Sequence, residues 1–342
     1  MSVSPIEAGQ GAIWRTKQTT LGTKAASNAA TMKRLRLVGD GGFKAAKVVG
    51  SEEYVDGLSF GSPAQFIDQI GGEVGSITYQ AQPETAGYAF AQIIGVDVVT
   101  GSSPDYTHTI ASGNTNGALQ TYYQEAGVST PVKQVFYDAL INKLTWSAGQ
   151  DNKTAHIQED VMSLNAAEWY TTSPTATDSG SDPFNWNEVT AEVKINGTAL
   201  EEADGDTLDI DRKLDVHRGD SAAPACFIYG KGEISRSISA VATNNTIPLI
   251  KTAVYGTATP TAGDGVDTAP SYVEIASKYT RSAERSLEII NPKVSINPGD
   301  FEVFPKAEGG KIPVTFSGMC LKDGSDAALT VVAKTADSAA YV

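Results

Sequence analysis

Residues 72–95 read GEVGSITYQAQPETAGYAFAQIIG, and residues 232–256 read GEISRSISAVATNNTIPLIKTAVYG. Each opens on a stretch that alternates and then changes period. In the second, Ile234, Ile238 and Ala240 alternate with Ser235, Ser237 and Ser239, the period-two pattern of a half-buried strand. In the first, Ala86, Phe90, Ile93 and Ile94 then fall at helical spacing across Pro83–Ile94, with proline in the first turn and Gly95 to close the end. Thr246–Tyr255 repeats the arrangement with Ile247, Ile250 and Val254, Pro248 and a closing Gly256. Gly72-Glu73-Val74 matches Gly232-Glu233-Ile234, and Pro63-Ala64 matches Pro224-Ala225. Ile77 to Ile238 and Gly95 to Gly256 are both offsets of 161, and Tyr106–Ser112 resembles Tyr272–Ser277. An ordered series of this kind predicts an internal duplication. Its period is far longer than the ~20–50 residues of solenoid repeats, so it predicts a doubled domain.

Working outward, the same alternation recurs. Leu208, Ile210 and Leu214 alternate with Asp209, Asp211, Lys213 and Asp215, and Val314, Phe316 and Cys320 alternate with Thr315 and Ser317. The expected fold is mainly β, two tandem β-sandwich or half-barrel domains each with one short helix. The expected boundaries are an N-terminal basic arm at 1–34, copy 1 at 35–170, a linker at 171–186, copy 2 at 187–335 and a C-terminal tail at 336–342. The arm is set apart by charge: residues 1–50 carry eight Lys/Arg and two acids. With few apolar residues of its own beyond Trp14, it is expected to dock on the acidic body of a neighbouring copy.

The 342 residues carry 26 Lys+Arg against 40 Asp+Glu, a net charge of −14, which disfavours a protein that grips phosphate backbones. Hydrophobic residues at 41% are enough for a real core. No apolar run approaches the ~18–20 residues of a membrane span, and no secretory signal is visible at the start. Two cysteines and three histidines are too few for a disulfide framework or a His-rich site. Cys226 and Cys320 read as small core residues, and His108 as a surface or cross-strand residue. The acidic run Glu201–Asp206 lacks the order of an EF-hand loop and reads as a turn leading into a strand. No nucleophile elbow, P-loop, HExxH or CxxC is present. An enzyme is not expected, and neither is a cofactor or a metal.

The runs SEEYVDGLSFGSP, GEVGSITYQAQPETAGYAFAQIIG and YTHTI, echoed by the second run and the closing VTFSGMCLKDG, resemble the tail tube (major tail) proteins of long-tailed bacteriophages and related archaeal viruses. The resemblance spans roughly residues 35–335. It implies a structural virion protein, made in the host cytoplasm, whose sheets join those of neighbours into a closed tube. Stacked rings would then surround a tape measure protein, meet tail terminator and tail tip proteins, and pass DNA in transit, with no membrane contact. Six single domains usually close such a ring, so a doubled chain favours three subunits over six. In a channel for a polyanion, carboxylates on one strand face would repel phosphate. The candidates are Asp209, Asp211 and Asp215, read as one face, with Glu52 and Asp56 in the first copy. The alternative reading is a virion or surface β-sandwich module that binds carbohydrate or a receptor.

Overall fold

The alternating stretches become strands and the two helically spaced stretches become helices in the computed structural model, which describes residues 11–39, 41–45, 47–52, 64–113, 115–127, 131–165, 167–186, 191–265, 267, 269–297 and 312–342. The first half runs β1 (Gly11–Lys17), β2 (Lys33–Leu35), β3 (Gly42–Phe43), β4 (Lys47–Glu52), β5 (Ala64–Ile70), β6 (Gly72–Gln80) and α1 (Pro83–Ile94). It continues through β7 (Val98–Ser102), β8 (Asp105–Ala111), β9 (Gln120–Ala126), β10 (Val132–Gly149), β11 (His156–Ser163) and β12 (Glu168–Trp169). The second half runs β13 (Ala191–Ile195), β14 (Thr198–Ala199), β15 (Ala203–Asp211), β16 (Leu214–His217), β17 (Cys226–Tyr229), β18 (Glu233–Val241) and α2 (Thr246–Tyr255). It ends with β19 (Ser271–Ser282), β20 (Arg285–Ile296), β21 (Pro313–Leu321) and β22 (Thr330–Thr335). The fold is mainly β with two short helices, as the periodicity predicts.

Both helices stop for the same reason. Gly95 and Gly256 take left-handed φ values of 79° and 72°, and their N–H groups bond back to the carbonyls of Ala91 and Thr252. Their environments differ. Every residue of α1 is buried, whereas α2 buries Thr246, Ile250 and Ala253.

Among the described residues every strand pairing is antiparallel. In the first half the order is β3–β6–β11–β10–β9–β1–β2, and the sheet curls until Leu37 bridges Tyr79 of β6. In the second half it is β15–β18–β21–β20–β19–β13–β14. The hairpins β4–β5 and β16–β17 each form a separate two-stranded sheet, one between β3 and β6, the other between β15 and β18. Pairing shifts by one residue between Phe136 and Ala139 of β10, and again between Asn291 and Val294 of β20. Not every sequence match survives. Tyr106–Ser112 falls largely on β8, which pairs with β22, while Tyr272–Ser277 falls on β19, between β20 and β13.

The halves are spliced by the 18 residues of β10, whose distal part pairs with β15 from Lys143–Asp211 to Gly149–Gly205. At this seam Trp146 is fully buried against Tyr279 (ring centroids 5.0 Å), Phe90 (6.1 Å) and Phe184 (6.5 Å). Leu287, Ile289, Val331 and Ala333 of the second half join the core of the first, and a second core lies around Ile238, Ile275 and Phe316.

The packing corrects several expectations. Residues 11–34 are not a free arm: β1 pairs with β9 along its length, and Arg15 is buried against Glu159 within the same chain. Tyr79 and Tyr122 donate to that carboxylate at 2.5 and 3.2 Å. Lys33 meets Asp337 at 2.7 Å and Arg36 meets Asp178 at 2.9 Å, so the basic segment does dock on acidic groups, but on its own chain. The segment 171–186 is no open linker, because Phe184 is buried at the seam. The tail at 336–342 is packed too, Tyr341 stacking on His108 at 4.0 Å. Of the two readings of His108 the cross-strand one stands: it lies buried between Val99 and Ala333, whereas Cys226 is exposed rather than in the core. Cys320 is buried, which pushes its thiol pKa up to about 12.

A second buried ion pair sits beside the seam. Arg236 donates to Asp206 at 2.9 and 2.7 Å, to Ser277 at 2.6 Å and to Asn291 at 2.8 Å, while Tyr279 donates to Asp206 at 2.5 Å. Removing one partner strands the other charge in a dry interior. Asp206→Ala is therefore expected to cost about 3–5 kcal/mol in urea unfolding, and Asp206→Leu with Arg236→Met is expected to recover most of it. A loss below ~1 kcal/mol for the single variant would contradict this account.

The tail carries a titrating contact. Burial alone would lower the pKa of His108, but its bonds to Asp97 (2.9 Å) and to the Asp337 carbonyl (2.9 Å) outweigh burial and raise it above 6.5. The charged form is favoured by folding, so this stabilisation is complete below pH 6.5 and fades as pH rises through the higher folded value. Between about pH 6 and 9 the thermal midpoint is expected to fall more steeply in wild type than in His108→Gln. Parallel slopes would refute the contribution.

Candidate functional site

Strand β15 decides what the acidic run does. Asp206, Leu208 and Ile210 are buried, while Thr207, Asp209 and Asp211 point the other way and stay partly exposed. The pleat therefore puts one carboxylate, Asp206, into the core to meet Arg236 and leaves two on the open face.

Registers extend that face across six strands. One row reads Gln80, His156, Ser147, Thr207, Ser237, Ser317 through β6, β11, β10, β15, β18 and β21. The next reads Thr78, Gln158, Thr145, Asp209, Ser235, Met319. A third reads Ser76, Asp160, Lys143, Asp211, Glu233. Residues directly opposite in an antiparallel pair share a face, so these rows form one surface that crosses the seam unbroken. The opposite face carries Ile77, Ile157, Trp146, Leu208 and Ile238, all fully buried.

The surface is mostly hydroxyl and amide side chains with an excess of carboxylate, joined by His156, Lys143 and the exposed Met319. In the three rows Asp160, Asp209, Asp211 and Glu233 outnumber Lys143, which lies 3.7 Å from Asp209, and Lys213 at the end of the strand pairs with Glu233 at 2.6 Å. Thr145 donates to Asp209 across the seam. Burial lowers the pKa of His156, so it adds no positive charge at neutral pH. A partly exposed pair such as Lys143–Asp209 contributes about 0–1 kcal/mol. The face is thus weakly held together by its charges, and its net negative potential acts on whatever approaches it.

The five expected carboxylates do not all belong to it. Asp209 and Asp211 do. Asp215 does not share their face: Lys213 takes a φ of 50°, the strand breaks, and Asp215 stands exposed on β16 in the separate hairpin. Leu214, expected to continue the buried row, packs with Leu140 and Met162 instead. Glu52 lies at the end of β4, paired with Ala64 in the other hairpin. Asp56 lies outside the described residues. Asp160 and Glu233 were missed. The alternation of β11 could have signalled Asp160, but its alignment with Asp211 needed the register through β10.

Among the described residues no group of three or more His, Cys, Asp or Glu could hold a metal ion, and no helix is long and apolar enough to cross a membrane. Trp14 and Trp146 are buried and Trp169 is exposed, so the tryptophans build no common aromatic platform for a sugar.

Substitution on the open face should leave the fold intact. Asp209→Ser is expected to change unfolding stability by less than about 1 kcal/mol, the scale of a partly exposed pair. A loss as large as that of Asp206→Ala would place Asp209 in the core.

The sequence model of one family, described as phage tail tube protein, matches residues 10–293. No curated protein matches the sequence.

Proposed function

This chain belongs to the phage tail tube protein family, a structural component of the virion tail, and from that premise we propose how it builds the tube. The chain carries the tube domain twice. Supporting this, β3–β6–β11–β10–β9–β1 and β15–β18–β21–β20–β19–β13 have the same pairing order, each with a hairpin and a helix at the same place. The matching bulges in β10 and β20 support it further. Three chains close a ring with six domain positions, and rings stack into a hollow tube. The tube houses a tape measure protein, ends on terminator and tip proteins, and conducts DNA during ejection.

The observation that carries this reading is the unbroken polar face through β6, β11, β10, β15, β18 and β21. It lines the channel. A wall for DNA in transit must offer phosphate no continuous cationic track, and hydroxyls with surplus carboxylate meet that need. Asp209 and Asp211, with Asp160, supply the repulsion, while Glu233 is paired with Lys213.

Reversing charge on the wall tests the assignment. DNA carries one charge per ~1.7 Å, so Lys at Asp209 and Asp211 repeated around every ring would build a binding sleeve. Tails carrying Asp209→Lys with Asp211→Lys are expected to assemble at normal length and to release their genome at least about tenfold more slowly, with the defect relieved by salt. Normal release from normal tubes would place this face outside the channel.

A further inference from the structure

The two helices differ in a way that their own sequences do not explain. Helix α1 is covered by the second half: Leu287 and Ile289 of β20 and Val331 and Ala333 of β22 lie in the same core, and an added Cβ at Gly87 would come 2.7 Å from the Ala333 side chain. Among the described residues helix α2 has no such cover, and Ile247 and Tyr255 are 40% and 39% exposed. They stand at the offset of 161 from Ala86 and Ile94 of α1, which are 0% and 4% exposed.

The registers say what stands where β20 and β22 stand under α1. Ile77 pairs with Glu159, and its counterpart Ile238 pairs with Phe316. Four residues on, Ser163 pairs with Ala139, as Cys320 pairs with Val294. Counting back, Val132 and Gln134 of β10 take the places of Leu287 and Ile289. Gln134 pairs with Trp169 of β12, and Ile289 pairs with Val331 of β22. So Val132 and Trp169 hold the positions of two fully buried residues that cover α1, yet they are 38% and 63% exposed. Among the described residues, an apolar helix face without a floor and a floor bearing Val132 and Trp169 without a helix sit at repeat-equivalent places.

We propose that α2 of one chain packs on β10 and β12 of a second copy of this chain, Ile247 and Tyr255 against Val132 and Trp169, reproducing between chains the contact that α1 makes within one. This rests on the doubled-domain, ring-forming reading above. The contact is head-to-tail: each chain offers a helix on one side and a floor on the other. Such an interface closes a ring when the rotation per chain divides the circle, and the repeat of six domain positions sets that number at three. A large exposed Trp seated in an apolar contact is the kind of residue that dominates an interface.

Two experiments test it, with the wild-type chain as reference. Trp169→Asp and Tyr255→Asp alter exposed positions, so each is expected to keep the wild-type circular dichroism and thermal midpoint while requiring at least about tenfold more protein to assemble, read by mass photometry and negative-stain microscopy. In a Cys226→Ser background, Ile247→Cys on one chain and Trp169→Cys on another are expected to cross-link when mixed, neither alone, and the doubly substituted chain to give a ladder that ends at three. A wild-type chain that assembles, with folded variants that assemble as readily and no cross-link, overturns this interface and leaves the tube reading standing. A wild-type chain that stays single at every concentration overturns the tube reading and the interface with it.

Discussion

The pairing of β10 with β15 is the constraint on which the rest depends. A single strand of 18 residues gives one end to the first half and the other to the seam, so both halves must share one sheet, one twist and one division between faces. A slip of one residue at this seam would turn Leu208 and Ile210 outward and drive Asp209 and Asp211 toward Trp146. The register is therefore held by the cost of burying those carboxylates as much as by the hydrogen bonds themselves.

Two buried ion pairs reinforce that choice from either side. Arg15 with Glu159 ties β1 to β11 beneath α1, where Arg15 also donates to the Thr85 carbonyl at 2.9 Å. Arg236 with Asp206 ties β18 to β15. Such pairs gain little net stability over apolar residues of the same size, because each charge must first leave water. Their effect here is on alternatives: a different pairing of these strands leaves a charge in the core without its partner. The tyrosines around them, whose hydroxyls burial keeps protonated, supply the remaining hydrogen bonds.

The same pleat that secures the core produces the proposed channel wall. Every second residue along six strands is committed to the core, as apolar packing or as the buried groups Glu159, Asp206 and Arg236, and the residues between them can be chosen for what they face. They are mostly short and polar, and on balance acidic. On the proposed reading, a wall of mostly short side chains follows the sheet closely and its one long cation, Lys143, lies against Asp209, so one alternation serves both the packing and the passage of phosphate.

The sequence by itself determined the class of structure, mainly β with two short helices. Periods of two and 3.6, the proline and glycine that bound each helix, and the landmarks 161 residues apart are local signals, and the strands and both helices appear where they stand. It also determined that Asp209 and Asp211 oppose Leu208 and Ile210, because neighbours on one strand must. What runs through a third element was not legible. Asp215 left the face because Lys213 turns the chain, Asp206 went inward to an arginine 30 residues away, and Tyr106–Ser112 took a different place from the run it resembles. The basic start of the chain was read correctly as complementary to acid, but only the fold could say that the acid was its own. Only the tertiary structure decided which partners lie across each strand, since that follows from registers between residues far apart, and composition carries no record of them.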